Sequence, residues 1–128
     1  MPYSSREQLD VGMQVEGYEA RSAQWGDVTV VFESMGAADP APLFKGLPDD
    51  RCQAEHYGVV LEGELVVRYA DHEETIPAGS AYYLPPGHVP LVRNAARTVE
   101  FTKTTDLQAT AAVIMKNMEA GVMPVAPA

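Results

Sequence analysis

The chain has a single cysteine, Cys52, among its 128 residues. That excludes an internal disulfide framework and fits a reducing compartment. Positive charge is scarce as well: 9 lysines and arginines stand against 18 aspartates and glutamates, for a net charge of −9. Such a balance disfavours a surface that grips nucleic-acid phosphates or anionic lipid. No apolar run approaches the ~20 residues of a membrane span, and the opening MPYSSREQLD lacks a signal-peptide core. A glycine-rich phosphate loop, a serine-centred elbow and a CxxC pair are all missing, which argues against a nucleotide enzyme, a serine hydrolase and a thioredoxin-like redox protein. The expectation is a soluble, acidic, cytoplasmic domain that binds neither nucleic acid nor membrane.

What is present fits one globular domain. Hydrophobic residues make up 46% and charged residues 21%, close to the average for folded soluble proteins. A chain of this length buries roughly two-thirds of its unfolded surface, enough for a core without staples. Ten glycines and ten prolines punctuate short runs rich in valine, tyrosine, threonine and phenylalanine, the pattern of many short strands in a sandwich or barrel.

The first ten residues are polar and read as a loose arm, residues 1–10. Met13 and Val15 alternate with Gln14 and Glu16 as a half-buried strand should, and Val28 to Phe32 form a stronger β-branched and aromatic strand. Ala37 to Pro42 reads as a loop, Pro42 to Lys45 as a short edge strand, and Gly46 to Asp50 as a turn. Residues 52–61 and 64–70 read as two strands meeting at a tight hairpin, Glu62-Gly63. Brief strands follow at 74–76 and 81–84, and strands 88–93 and 97–103 finish the sheet. The period then changes: Leu107, Ala111, Ile114 or Met115, and Met118 recur at helical spacing, so 105–120 is a helix. Thr105 with Gln108 has the form of a capping box, and Gly121 stops the helix. Its methionine-rich stripe is packing. The barrel then spans 11–104, and 121–128 is a flexible tail, loose or draped over a neighbour.

The segment from Asp50 to Asn94 resembles the cupin superfamily, small jelly-roll (double-stranded β-helix) barrels. The second cupin motif is a glycine, five residues, Pro-x-Gly, two residues, a histidine, three residues and an asparagine. Gly79, Pro85, Gly87 and Asn94 fall on its positions. Pro90 fills the histidine slot, with His88 two residues earlier. The first motif is His-x-His, three or four residues, Glu, six residues, Gly. Gly63 sits at its glycine, His56 in the glutamate slot, Cys52 in the second histidine slot and Asp50 in the first. The resemblance implies an all-β, cupin-type β-barrel with one C-terminal α-helix.

Strand side chains alternate, so Cys52, Ala54 and His56 share a face, which the resemblance makes the inward one. His88 has the parity of the Pro90 slot and also faces in if the chain is extended there. One thiolate and two imidazoles then converge, a softer set than three histidines and a carboxylate. The expected cofactor is a divalent metal ion, zinc first, with Fe, Ni and Cu also compatible. Asp50 is the candidate for a fourth bond, water the alternative. Of the adjacent Tyr82 and Tyr83, one faces the cavity and could orient a ligand or move a proton, although filling the barrel is the commoner role. His72, Arg51, Arg68 and Arg93, and the hairpin acids Glu62 and Glu64, read as ordinary surface charge; Trp25 anchors the N-terminal strand.

The functional expectation is a metal-binding cupin that takes a small molecule at a divalent metal in the barrel, its reaction unspecified. Two rivals stand beside it: a zinc-holding sensory or ligand-binding module without catalysis, and a metal-free barrel in which Cys52 and His56 only pack. Apolar N-terminal strands and a proline-rich tail suit a homodimer.

Overall fold

The computed structural model describes residues 3–128; Met1 and Pro2, the start of the expected arm, lie outside them. Seven strands and one helix follow in order: β1 (Val11–Val15), β2 (Tyr18–Trp25), β3 (Val28–Ala38), β4 (His56–Arg68), β5 (Glu73–Pro77), β6 (Ala81–Leu84), β7 (Val89–Lys103) and α1 (Thr104–Glu119). Short 3-10 turns lie at Arg6–Gln8, Ala41–Phe44 and Pro48–Asp50. All pairings are antiparallel, in the order β1-β2-β3-β7-β4-β5, with β6 laid along the first part of β4.

The two longest strands carry the architecture, and both differ from expectation. The chain does not turn back at Glu62-Gly63. β4 runs through as one strand, pairing with β6 over its first part and β5 over its last, with β7 alongside both. Gly63 marks an irregularity in the β4–β7 register instead of a hairpin tip. Its φ is +71°, and a Cβ there would stand 2.0 Å from the Ala95 carbonyl oxygen, so only glycine passes this crossing. β7 is likewise continuous where two strands were expected. Long bent strands of this kind serve two parts of a curled sheet at once, which local turn signals cannot reveal.

Residues 41–44 form a 3-10 turn in place of the expected edge strand, because Leu43 and Phe44 are both drawn into the apolar cluster under the helix. The helix begins at Thr104, directly after β7, and the expected Thr105 capping box does not form. Lys103 is the N-cap without a side-chain bond, while Thr104 Oγ1 meets Thr29 Oγ1 at 2.8 Å. At the other end, the chain leaves the helix through Gly121, and Val125 pairs with Asp39 of its own chain.

The core has two parts. Val60, Leu65, Val67, Tyr82, Leu84, Val92 and Ala96 fill the barrel. Leu43, Phe44, Leu47, Cys52, Ala54 and Val89 form a second cluster, covered by Val113, Ile114 and Met118 of α1. Full burial of such a side chain stabilises by about 1.5–3 kcal/mol, so this second cluster is what docks the helix. Met115 of the expected stripe stays exposed.

One face of β3, β7, β4 and β6 is unusual. Across it run the rows Thr29–Thr102–His56–Leu84, Val31–Glu100–Gly58–Tyr82 and Glu33–Thr98–Val60. Thr98, Glu100 and Thr102 are buried while Phe101 between them is exposed, so here the polar side of the alternation faces in.

Candidate metal centre

Three segments meet at the end of the barrel nearest the helix. Cys52 lies just before β4 and pairs with His88 through the backbone: its N–H donates to the His88 carbonyl at 2.9 Å, and Gly87 N–H donates to the Cys52 carbonyl at 2.8 Å. The Pro85-Pro86-Gly87 turn thereby sets His88 beside the cysteine. His56 opens β4, opposite Thr102 and Leu84. One donor atom from each of Cys52, His56 and His88 lies within 4.8 Å of the other two. Cys52 Sγ is 3.5 Å from His56 Nε2, and the two imidazoles stand edge to face with centroids 5.0 Å apart. All three residues are buried, 3%, 7% and 1% exposed respectively.

The far nitrogen of each ring is engaged elsewhere. His56 Nδ1–H faces Glu100 Oε2 at 3.2 Å, with Thr102 Oγ1 also in contact, and His88 Nδ1–H donates to the Pro85 carbonyl at 2.7 Å. These partners place the proton on Nδ1 and leave each Nε2 with a free lone pair, that of His56 facing the cysteine sulfur, the outer support that metal-binding histidines need. Burial holds both imidazoles at about 4, so each is neutral and able to ligate at neutral pH. Burial pushes the Cys52 thiol up, so the sulfur becomes a thiolate only when a positive partner stabilises it.

The structure brings three of the expected residues together and leaves others apart. Asp50 is exposed, in a left-handed conformation, and its Oδ1 accepts from Gly46 N–H at 3.0 Å; it does not join the cluster. Tyr82 is the inward tyrosine. Its hydroxyl donates to Glu100 Oε1 at 2.8 Å, while His56 faces the other oxygen, Oε2. Gly58 makes room for this contact, because a Cβ there would lie 2.6 Å from the Tyr82 hydroxyl. Tyr83 faces out, beside Tyr57 and bonded to Glu55. His72 is solvated against Asp71 and Tyr69, Glu62 pairs with Arg97, Arg93 with Glu73, and Trp25 is half-buried. Arg68 departs from the surface default, since it holds the buried Asp39 at 2.6 Å.

Several site residues were not singled out from the sequence. Thr102 and Glu100 support His56, and Thr110 of α1 places its Oγ1 3.5 Å from Cys52 Sγ. Their signal was the alternation Thr98-x-Glu100-x-Thr102, which marks one face of a strand without saying which face is inside. A groove of about 540 Å³, lined in part by Gln14, Tyr18, Ser34, Met35, Gly63 and Arg97, includes none of the three donors.

No family model and no curated protein matches the chain. Solved structures do. A protein of unknown function from Rhizobium leguminosarum bv. viciae aligns with TM-score 0.58 at 16% identity, over 80% of this chain and 95% of that one. An RmlC-like cupin from Shewanella frigidimarina gives 0.55 at 15%, over 78% and 87%. The iron(II) form of HppE gives 0.56 at 14%, over 77% of this chain and 58% of HppE. At such identities the likeness speaks for architecture alone. Taken with the observed strand order, it shows that this chain folds as a small cupin: an antiparallel barrel followed by a single helix.

Proposed function

We propose that the chain is a metal-binding cupin in which Cys52 Sγ, His56 Nε2 and His88 Nε2 hold one divalent ion, zinc first, where a small molecule binds. The observation that carries this reading is the joint orientation of the cluster. Three buried donor atoms face one another, and both histidines have their other nitrogen tied to an acceptor. A sulfur and two imidazoles suit zinc, with iron, nickel and copper also within the set's range. A metal with an open position supplies Lewis acidity toward a carbonyl or a bound water. The chain's own contribution is to keep both imidazoles neutral, to exclude water with the apolar cluster around Cys52, and to fix His56 through Glu100. Tyr82 acts on Glu100 and orients it.

A second reading, a zinc-holding sensory module, is supported by Thr110, which brings the helix into contact with the cysteine. In either reading the chain works as a homodimer. Exposed Val11 and Val15 on edge strand β1 and Tyr57, Tyr83 and Phe101 on the outer sheet face support this, and sedimentation velocity checks it.

Metal analysis of purified protein is the test. Wild type is expected to carry about one equivalent of metal, while Cys52→Ser and His56→Ala each lose most of it. Metal content unchanged in both variants removes the site.

A further inference from the structure

Ala96 and Thr98 of β7 are buried, so strand alternation turns Ala95 and Arg97 to the outer face of the sheet. The ladders carry that face across four strands. Glu19, Ser34, Arg97 and Glu62 stand in one row, and Gly36 stands opposite Ala95 in the next outward row. Gly17 closes on Gly36, whose N–H donates to the Gly17 carbonyl at 2.8 Å. Two glycines and an alanine therefore lie beside a row of longer polar side chains. The missing side chains leave the groove of about 540 Å³, which all seven residues line. That volume falls within the range of small-molecule pockets.

The polar row is unevenly satisfied. Glu19 is held by Arg6 and Arg21, the latter at 3.0 Å. Glu62 takes Arg97 at 3.3 Å, both side chains being more than half exposed, and a pair so solvated contributes little. Ser34 differs. Its Oγ is buried and has no hydrogen-bond partner among the described residues. Arg6 Nε, on the residue that bonds Glu19, is buried and unpartnered as well. Native folds keep few such orphans, because each forfeits its hydration without replacement. The carboxylates of the groove already have their cations. What is left over is donors: the Ser34 hydroxyl, and the guanidinium N–H groups of Arg97 that Glu62 does not use. Ser34 and Arg97 face each other in the ladder, with Cβ atoms about 4.5–5.5 Å apart. A guanidinium fork beside a hydroxyl fits the two oxygens of a carboxylate.

We propose that this groove binds a small organic acid, its carboxylate held between Arg97 and Ser34 and its apolar body laid over Gly17, Gly36 and Ala95. Arg97 exchanges its weak surface partner Glu62 for the ligand, and the Ser34 hydroxyl gains the acceptor it lacks. The floor offers only backbone and a methyl group, so the body of the ligand is short and uncharged. This site shares no residue with the Cys52 cluster and does not depend on a metal there.

Titration of isotope-labelled protein with butyrate and with benzoate, followed by amide NMR, tests it, with inorganic phosphate as the control. Wild type is expected to show saturable shifts at Ser34, Gly36, Ala95 and Arg97, with a Kd near or below about 1 mM. Metal-stripped protein is expected to bind equally well. Arg97→Lys keeps the charge but loses the fork, and is expected to bind about tenfold more weakly, as is Ser34→Ala. Gly36→Ala raises the floor instead. A Cβ there meets only Gly17 atoms, at 3.7 Å, and the backbone is not left-handed, so the fold accepts it. Benzoate is expected to bind this variant about tenfold more weakly. No saturable shift in wild type overturns the proposal, as does undiminished affinity in either Arg97→Lys or Ser34→Ala. Phosphate bound as tightly as benzoate also overturns it, by showing a site for charge alone. Binding lost on metal removal overturns it by placing the acid at the metal. Groove shifts that follow protein dilution and ignore the acids overturn it by giving the groove to a second copy.

Discussion

Burial holds His56 and His88 neutral, both at about 4, and pushes the carboxyls of Glu33 and Glu100 up, both to about 7. These residues pull the pH dependence of stability in opposite directions. Each histidine is protonated more readily in the unfolded chain, so its contribution is complete above 6.5 and is lost as pH falls toward 4. Each glutamate is protonated more readily in the fold, so its contribution is complete below 4.5 and is lost as pH rises toward 7. Between about pH 4.5 and 6.5 the two pairs oppose, and metal-free protein in chelator is expected to show a nearly flat stability profile. Glu33→Gln removes one opposing group. Its unfolding free energy, measured by urea denaturation across that window, is expected to rise with pH more steeply than wild type, by up to about 1.4 kcal/mol per pH unit. Parallel profiles would mean that Glu33 is ionised in the fold.

At the scale of elements, the legible and illegible parts divide by range. Strands bounded by Pro-Gly turns, such as Ala81–Leu84, and the helix with its Gly121 stop were readable because their signals are local. The approach of Cys52, His56 and His88 was readable through the motif slots around Gly63 and Gly87, which, on the resemblance, turn all three residues to the barrel interior. The continuity of β4 through Glu62-Gly63 was not readable, since a glycine after a glutamate looks the same in a hairpin tip and at a tight strand crossing. Nor was the inward face of β7: hydrophobic alternation puts Val99 and Phe101 inside, whereas a polar interior puts Thr98, Glu100 and Thr102 there. The crossing at Gly63 has a measurable signature. Gly79 also has a positive φ, +87°, yet a Cβ there meets nothing within 4 Å. Gly79→Ala is therefore expected to cost about 1–2 kcal/mol from backbone conformation alone. Gly63→Ala adds a clash with the Ala95 carbonyl and is expected to cost more than about 3 kcal/mol or to prevent folding. Equal costs in urea unfolding would show that β4 is not clamped against β7 at this point.

For the whole molecule, the position of the cluster decides how metal binding is felt. Cys52 belongs to the apolar group that docks α1, Thr110 of that helix touches its sulfur, and Asn117 Nδ2 donates to the Leu43 and Lys45 carbonyls on the same side. The barrel, the 41–47 segment and the helix therefore share one small region. An ion bound there favours the state in which all three are assembled. Zinc at a hundredfold excess over its Kd is expected to stabilise the fold by about 2.7 kcal/mol. For a domain of this size that raises Tm on the order of 10 °C. Hydrogen exchange separates this from a merely local effect: amides of 104–119 should slow on zinc addition together with those around 52–60. In Cys52→Ser both changes should vanish. Thr110→Val, which leaves all three candidate donors in place, should keep the protection of 52–60 while the helix gains less. Protection confined to 52–60 in wild type would show that the ion and the helix are energetically independent, and would remove the structural support for a sensory role.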